Sequence, residues 1–164
     1  MSNAATFRTM KIRDALESDL GSIAELLLIV HRLHVSAHPE TYREMSHEIA
    51  VDFLAARMVE RDAYLRVAEL DSELLGYYSA TIRTSPSNPL FQPRRFVYVN
   101  EVVVQLESRM GGVGRTLIAD LKELARQDGA REIELDVGHF NSGAKAFFKK
   151  QGFELLREKV AVRV

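Results

Sequence analysis

The run Arg109-Met110-Gly111-Gly112-Val113-Gly114-Arg115-Thr116 sets three glycines and two arginines between a segment that reads as a strand and one that reads as a helix. Those residue types in that position suit a phosphate cradle. The first N–H groups of a helix have no intrahelical partner and carry the positive end of its dipole, so they attract anions. Gly111, Gly112 and Gly114 have no Cβ, which lets the backbone take unusual φ/ψ and approach a pyrophosphate, while Arg109 and Arg115 add fixed positive charge. A diphosphate is the expected ligand. Upstream, Glu101 interrupts the apolar run Val99-Asn100-Glu101-Val102-Val103-Val104. If it faces a cleft, burial disfavours its charged form and raises its pKa, which suits a general base for an incoming ammonium. If it faces solvent, it is an ordinary surface carboxylate. Strand alternation sets Glu101 opposite Asn100 and Val102 and leaves both readings open.

Other chemistries fit less well. A dinucleotide fingerprint needs a third glycine where Leu117 stands, although Asp136 has the right sequence separation from Gly112 for a ribose contact, and a second βαβ unit is missing. A P-loop needs Lys-Ser/Thr after its glycines, and Arg115-Thr116 follows them here. His47-Glu48 lacks the second histidine of a zinc-protease helix, and there is no Gly-x-Ser-x-Gly elbow. His31 and His34 share a helical face near His38, but no carboxylate with ligand spacing accompanies them, so no metal is expected. With no cysteine, disulfides, thiolate metal sites and a cysteine nucleophile are excluded.

The elements that must position these groups follow from periodicity. A chain of 164 residues, 46% hydrophobic and 27% charged, suits one domain over residues 10–164, with 1–9 an N-terminal extension in which Ser2-Asn3-Ala4 reads as a cloning remnant. The net charge of −1 gives no global field to recruit nucleic acid or a membrane. No apolar run approaches membrane-spanning length and no secretion signal is laid out, so the expected location is cytoplasmic. Lys11–Arg13 reads as a strand and Asp19–His34 as a helix, started by Asp19 or by a Ser22/Glu25 capping box. Ser46 caps a second helix with the apolar face Ile49, Phe53, Leu54 and Met58. Strands follow at Tyr64–Glu69 and Leu74–Arg83, joined by a turn at Asp71-Ser72, and at Arg95–Val104 after a Ser/Pro-rich loop. Val113, Leu117, Ile118, Leu121, Leu124 and Ala125 repeat at helical spacing up to Gly129. A strand at Arg131–Val137, a short helix capped by Asn141 and ended by Gly152, and alternation at Val160, Val162 and Val164 complete the chain. The order predicts an α+β mixed sheet with helices on both faces and a βαβ unit over Val99–Val137. The edge at Val160–Val164 suits pairing in a homodimer.

Arg109-x-x-Gly112-x-Gly114 resembles the Arg/Gln-x-x-Gly-x-Gly/Ala motif of the GCN5-related N-acetyltransferase (GNAT) superfamily, which binds the pyrophosphate of acetyl-CoA there. A second block, Asn141-x-x-Ala144-x-x-Phe147-Phe148-x-x-x-Gly152-Phe153, is similar to that family's Asn-x-x-Ala-x-x-Phe-Tyr-x-x-x-Gly-Phe segment. The resemblance implies the acyl-CoA N-acyltransferase fold and transfer of an acetyl group from acetyl-CoA to a small-molecule or peptide amine by direct attack in a ternary complex. It implies Glu101 as the base, and coenzyme contacts by Val102, Val103, Val104, Arg109, Met110, Gly111, Gly112, Val113, Gly114, Arg115, Thr116, Asn141, Ala144, Phe147 and Phe148. Amides near Val103 and Val104 would polarise the thioester carbonyl, and the connector Leu33–Arg43 would wall the acceptor cleft. One position departs from the family pattern: Phe148 stands where many relatives carry a tyrosine that protonates the leaving thiolate, and a phenyl ring has no proton to give. Tyr77, Tyr78, Tyr98 or water are the substitutes, and a non-catalytic acyl-CoA-binding module of the same fold is the alternative.

Overall fold

The computed structural model describes residues 9–162. Five strands, β1 (Lys11–Asp14), β2 (Ala63–Leu70), β3 (Glu73–Ser85), β4 (Arg94–Val104) and β5 (Glu132–Leu135), form one sheet in sequence order. All neighbours are antiparallel except β4 and β5, which run parallel. Asp71 and Ser72 both take positive φ, 52° and 68°, and this is the twist that closes a two-residue hairpin between β2 and β3. Four helices complete the layers: α1 (Leu20–Ala37), α2 (His47–Met58), α3 (Val113–Gln127) and α4 (Ser142–Lys150).

Each face of the sheet has its own core. Under α1 and α2 lie Val67, Tyr77 and Val103 with Ile23, Ala24, Leu27 and Leu54. Under α3 lie Tyr78, Ala80, Val97 and Val99 with Leu117, Ile118 and Leu121, and Phe147 and Phe148 of α4 pack against this cluster. Every residue of the helical repeat from Val113 to Ala125 is buried, so the pattern that predicted α3 is also the pattern that docks it. Tyr78 and Arg66 converge beneath α3 on Asp120: the hydroxyl donates to Oδ2 at 2.7 Å and the guanidinium Nε to the same oxygen at 2.9 Å. Ser46 caps α2 by accepting from Ile49 N–H at 3.3 Å, and Asn141 caps α4 by accepting from Ala144 N–H at 3.0 Å.

Five expectations need correction. The Ser22/Glu25 box is not used: α1 starts at Leu20, and the Asp19 carboxylate instead binds Leu16 N–H and the Arg13 guanidinium, each at 2.7 Å. The buried face of α2 is rotated, with Ala50 and Leu54 fully buried while Ile49 and Phe53 are 56% and 37% exposed. Arg57 lies over the Phe53 ring at 4.9 Å, so that side of the helix is a polar boundary. Glu17–Ala37, 21 residues long, does reach membrane-spanning length, with mean hydropathy 1.3 over an 18-residue window. The same length and composition suit a core helix, and six of its residues are buried against the protein. β5 is shorter than expected, and residues 153–162 form no strand although Val160 and Val162 alternate; Val164 lies outside the described residues. A strand needs a neighbour's N–H and C=O groups, and none of the described strands pairs with this tail.

The rotated face of α2 sets a direct contrast. Leu54→Ala is expected to lower unfolding free energy by about 2–5 kcal/mol, and Ile49→Ala to change it by less than about 0.5 kcal/mol, both read from urea melts. Equal losses would restore the face expected from the sequence.

Candidate active site

The site is organised by the place where two strands part. β4 and β5 pair from Phe96–Glu132 to Val99–Leu135 and no further, while β4 continues to Val104 paired only with β3. From Asn100 onward the second edge of β4 therefore has no β5 partner. At this point the β3–β4 ladder also shifts: Ser79 faces Glu101 and Ala80 faces Val99, leaving Asn100 as the extra residue of a bulge. The Asn100 side-chain amide donates to Thr81 Oγ1 at 3.2 Å and Ser79 Oγ at 3.4 Å, which pins the bulge. A bulge breaks the alternation, so Asn100 and Glu101 lie on the same face, the one covered by α1 and α2. Simple alternation had placed them on opposite faces.

Glu101 is thereby half-buried, with its Oε2 shut off from solvent. Among the described residues, three buried side-chain atoms lack a hydrogen-bond partner: Glu101 Oε2, Tyr77 Oη and His34 Nδ1. Loss of water raises the Glu101 pKa above the ordinary carboxylate value, while the Arg57 guanidinium of α2 and the Ser79 hydroxyl pull it back only in part. Tyr77 is fully buried on β3 opposite Val103, and burial next to Glu101 pushes its hydroxyl well above the usual tyrosine range. A buried acceptor atom with a raised pKa and an unfilled hydrogen bond is the state a general base needs before substrate arrives.

β4 leads into the glycine loop. Gly112 is the residue before α3 and takes φ +83°, a left-handed conformation that favours glycine, and Met110 takes φ +71° with its side chain in solvent. Thr116 closes the first turn by donating both its N–H (3.0 Å) and its hydroxyl (3.2 Å) to the Gly112 carbonyl. The amides of Val113, Gly114 and Arg115 precede that first bond and stand open at the helix start. Arg109 Nε reaches the Val104 carbonyl at 3.4 Å, which ties the loop to the end of β4. Gly114 has a further reason to be glycine beside the one expected from phosphate approach: a Cβ there would lie 3.0 Å from the Phe147 ring, so its absence lets α4 close on α3.

The other singled-out residues gather around the parting strands. Asn141 caps α4, Ala144 takes that cap, and Phe147 and Phe148 stack edge-on at 5.2 Å, with Phe153 following at 5.4 Å from Phe148. Phe140, just beyond β5, touches His34 and His38 with ring centroids 5.2 and 5.7 Å apart, so the end of α1 lies over the opening. Tyr42 closes on His34 at 5.1 Å. A cleft of about 340 Å³ runs between Leu33, Ser36 and Ala37 of α1 and residues Phe140–Gly143. Two candidate acids are committed elsewhere: Tyr78 to Asp120, and Tyr98 to Asp136 at 2.6 Å, with burial and that carboxylate pushing Tyr98 up to about 12. Asn100, Ser79 and Arg57 were not singled out from the sequence. The one signal was the polar pair Asn100-Glu101 inside an apolar strand.

The chain matches the model of the acetyltransferase (GNAT) family over residues 27–153. It is a member of the GNAT acetyltransferase family. It is similar to the uncharacterized N-acetyltransferase YhfO of Bacillus subtilis, 28% identical over 146 residues that cover 88% of this chain and 90% of the relative. A mutant form of the BH1408 protein of Bacillus halodurans shares its fold with a TM-score of 0.89 at 24% identity, over 94% of this chain and 99% of that one. The aminoglycoside N-acetyltransferase AAC(6')-Iy, solved in complex with CoA, shares the fold with a TM-score of 0.75 at 19% identity, over 98% of both chains. The GNAT chain described here thus has the mixed sheet of that fold, and its family transfers acyl groups.

The raised Glu101 pKa has a stability consequence. Below the unfolded carboxylate value both states hold the proton. As pH rises, the unfolded state releases it first, so burial of Glu101 counts increasingly against the folded state. The melting temperature of Glu101→Gln relative to wild type is therefore expected to rise as pH increases from about 4, the unfolded carboxylate value, and to level off once the folded state has also lost the proton. A flat difference would place the carboxylate in water, and a falling one would mean that the fold stabilises its charge; either contradicts the raised pKa.

Proposed function

We propose that this protein transfers the acetyl group of acetyl-CoA to a primary amine by direct attack in a ternary complex, in the cytoplasm. The single observation that carries the reading is the position of Glu101: a half-buried carboxylate with a buried, unfilled acceptor atom, set where β4 parts from β5. The residues present fit the coenzyme. Open amides at Val113 to Arg115, with Arg109 and Arg115, suit a pyrophosphate, while the Gly111 and Thr116 amides are already bonded within the loop. The unpaired edge of β4 at Val102 to Val104 suits an amide-bearing arm that adds like a strand. Asn141, Ala144, Phe147 and Phe148 border the far side of that arm.

In this reading Glu101 accepts a proton from the acceptor ammonium, directly or through water. The neutral nitrogen attacks the thioester carbon while the Val104 amide, which points to the freed edge because the Gln105 and Val103 amides point to β3, stabilises the developing oxyanion. The C–N bond forms as the C–S bond breaks, and the thiolate takes the proton lost by the new amide nitrogen through water. Phe148 supplies none of that proton traffic, and Tyr78 and Tyr98 are held by carboxylates. The acceptor is a small-molecule or peptide amine seated against the Leu33–Arg43 segment. The second reading, a coenzyme-binding module without turnover, is favoured by Phe148.

Calorimetry is expected to show saturable acetyl-CoA binding, weakened by about 10-fold or more in Gly112→Trp. In a thiol-release assay, which has no background from this cysteine-free chain, Glu101→Gln is expected to lower kcat at neutral pH by about 10²–10⁴ and leave coenzyme affinity unchanged. Wild-type double-reciprocal plots are expected to intersect. Parallel lines, or unchanged turnover in Glu101→Gln, contradict the mechanism; binding without transfer to any amine, with activity appearing in Phe148→Tyr, selects the binding module.

A further inference from the structure

The core stripe of α1 changes character where the helix passes the parting strands. Ile23 and Leu27 pack on the sheet, and the same helical spacing continues through His31, His34 and His38. Aliphatic side chains give way to rings. His34 is the hub, with Tyr42 on it at 5.1 Å and Phe140 at 5.2 Å, and Phe140 also touches His38. The turn after β5 fixes Phe140 in that place. Asn141 N–H donates to the Gly138 carbonyl at 2.9 Å, and the ring folds back so far that a Cβ on Gly138 would lie 2.5 Å from it. Tyr42 and Phe140 still keep 37% and 38% of their surface exposed, and Leu33, which lines the cleft with Phe140, keeps 49%. Gathered at one opening rather than scattered, these side chains make an apolar contact surface. Charge is sparse there. None of the residues lining the cleft of about 340 Å³ is charged. Burial, with His31 and His38 nearby, holds the His34 pKa below the usual histidine value, so the imidazole at the hub is neutral at pH 7. Glu40 is turned to His38 at 3.5 Å, and Glu134 and Asp136 are held by Arg94 and Tyr98. Among the described residues, the carboxylate with an unfilled buried oxygen is Glu101.

We infer that the acceptor is a small monoamine carrying an aromatic ring, which Phe140, His34 and Tyr42 seat while its ammonium reaches Glu101. The inference rests on the acetyl-transfer reading of this site and narrows its acceptor class. Aromatic rings attract one another edge to face, and the rings of this wall already meet that way, at 86° between His34 and Phe140 and 66° between His38 and Phe140. A further ring laid against them extends the same packing, whereas an amine without a ring gains none of it. The charge count points the same way. One ammonium meets one carboxylate, and the neutral His34 adds no like charge beside it. A polyamine or an amino sugar brings further ammonium groups into an uncharged cleft, and each gives up hydration with no partner to replace it. The cleft, at about 340 Å³, lies at the lower end of the range for small-molecule sites, which suits a single ring on a short amine arm. Phe140 is then the residue that sets acceptor preference, and Gly138 is what allows its ring to stand there.

Amide NMR titrations of the ¹⁵N-labelled full chain with 2-phenylethylamine, ethylamine and spermidine, each with and without saturating CoA, test the inference without turnover. 2-Phenylethylamine is expected to bind at least about 10-fold tighter than ethylamine, which has no ring, and than spermidine, which carries several ammonium groups. Its shifts are expected at Tyr42 and Phe140. Phe140→Ala is expected to weaken 2-phenylethylamine by about 10-fold and leave ethylamine unchanged, with an unchanged circular dichroism spectrum. Gly138→Ala keeps every ring but displaces that of Phe140, and is expected to weaken 2-phenylethylamine in the same direction. Spermidine binding as tightly as 2-phenylethylamine, no binding of 2-phenylethylamine, or a preference for it that survives Phe140→Ala overturns the inference. The order of the three amines decides the ring seat in either state, whereas failure of CoA to bind counts against the coenzyme reading instead.

Discussion

The structure depends on β4 losing its partner. Parallel pairing with β5 stops at Val99–Leu135, and the bulge at Asn100 follows immediately on the other side of the same strand. Either feature alone would be a local irregularity. Together they open one edge of β4 and turn Glu101 inward at the mouth of the opening. The sequence stays apolar through Val102, Val103 and Val104 because those residues still pack against both cores, so the strand keeps its place while its edge is freed. α3 begins where β4 ends, which brings its open N–H groups into line with the freed edge.

Charge placement follows from that geometry. Most carboxylates near the sheet have a cation or a hydroxyl to bind: Asp120 has Arg66 and Tyr78, Asp136 has Tyr98, and Glu132 and Glu134 share Arg94. Glu101 has only Ser79 nearby and Arg57 at a distance, and one of its oxygens is unpaired. A buried group left in that state lowers stability and is retained where function uses it. Tyr77, also buried and unpaired, lies diagonally across the β3–β4 ladder from it. A single water bridging the two is the arrangement that would satisfy both.

Much of this was legible before any coordinates. Helical spacing from Val113 to Ala125 named the buried face of α3 residue by residue, because a helix on a sheet buries one stripe and the stripe is written in the apolar positions. Ser46 and Asn141 announced the starts of α2 and α4 because a side-chain oxygen there meets a free N–H. The bulge was not legible. It carries no glycine or proline, and its only trace is a polar pair inside an apolar strand, which alternation misassigns. The face of α2 was misread because Ile49 and Phe53 mark its boundary with solvent rather than its contact with the sheet. Gly114 belonged to the phosphate motif in the sequence, and only the proximity of Phe147 shows that helix packing also requires it. The tail alternates as a strand does, yet a strand exists only where another offers its edge.

The most direct measurement is an amide NMR titration of the ¹⁵N-labelled protein with coenzyme A. If the freed edge of β4 and the start of α3 form one continuous site, the amides of Asn100 to Val104 and of Gly112 to Arg115 shift together with a single dissociation constant. Shifts confined to one of the two segments, or to neither, would contradict the account.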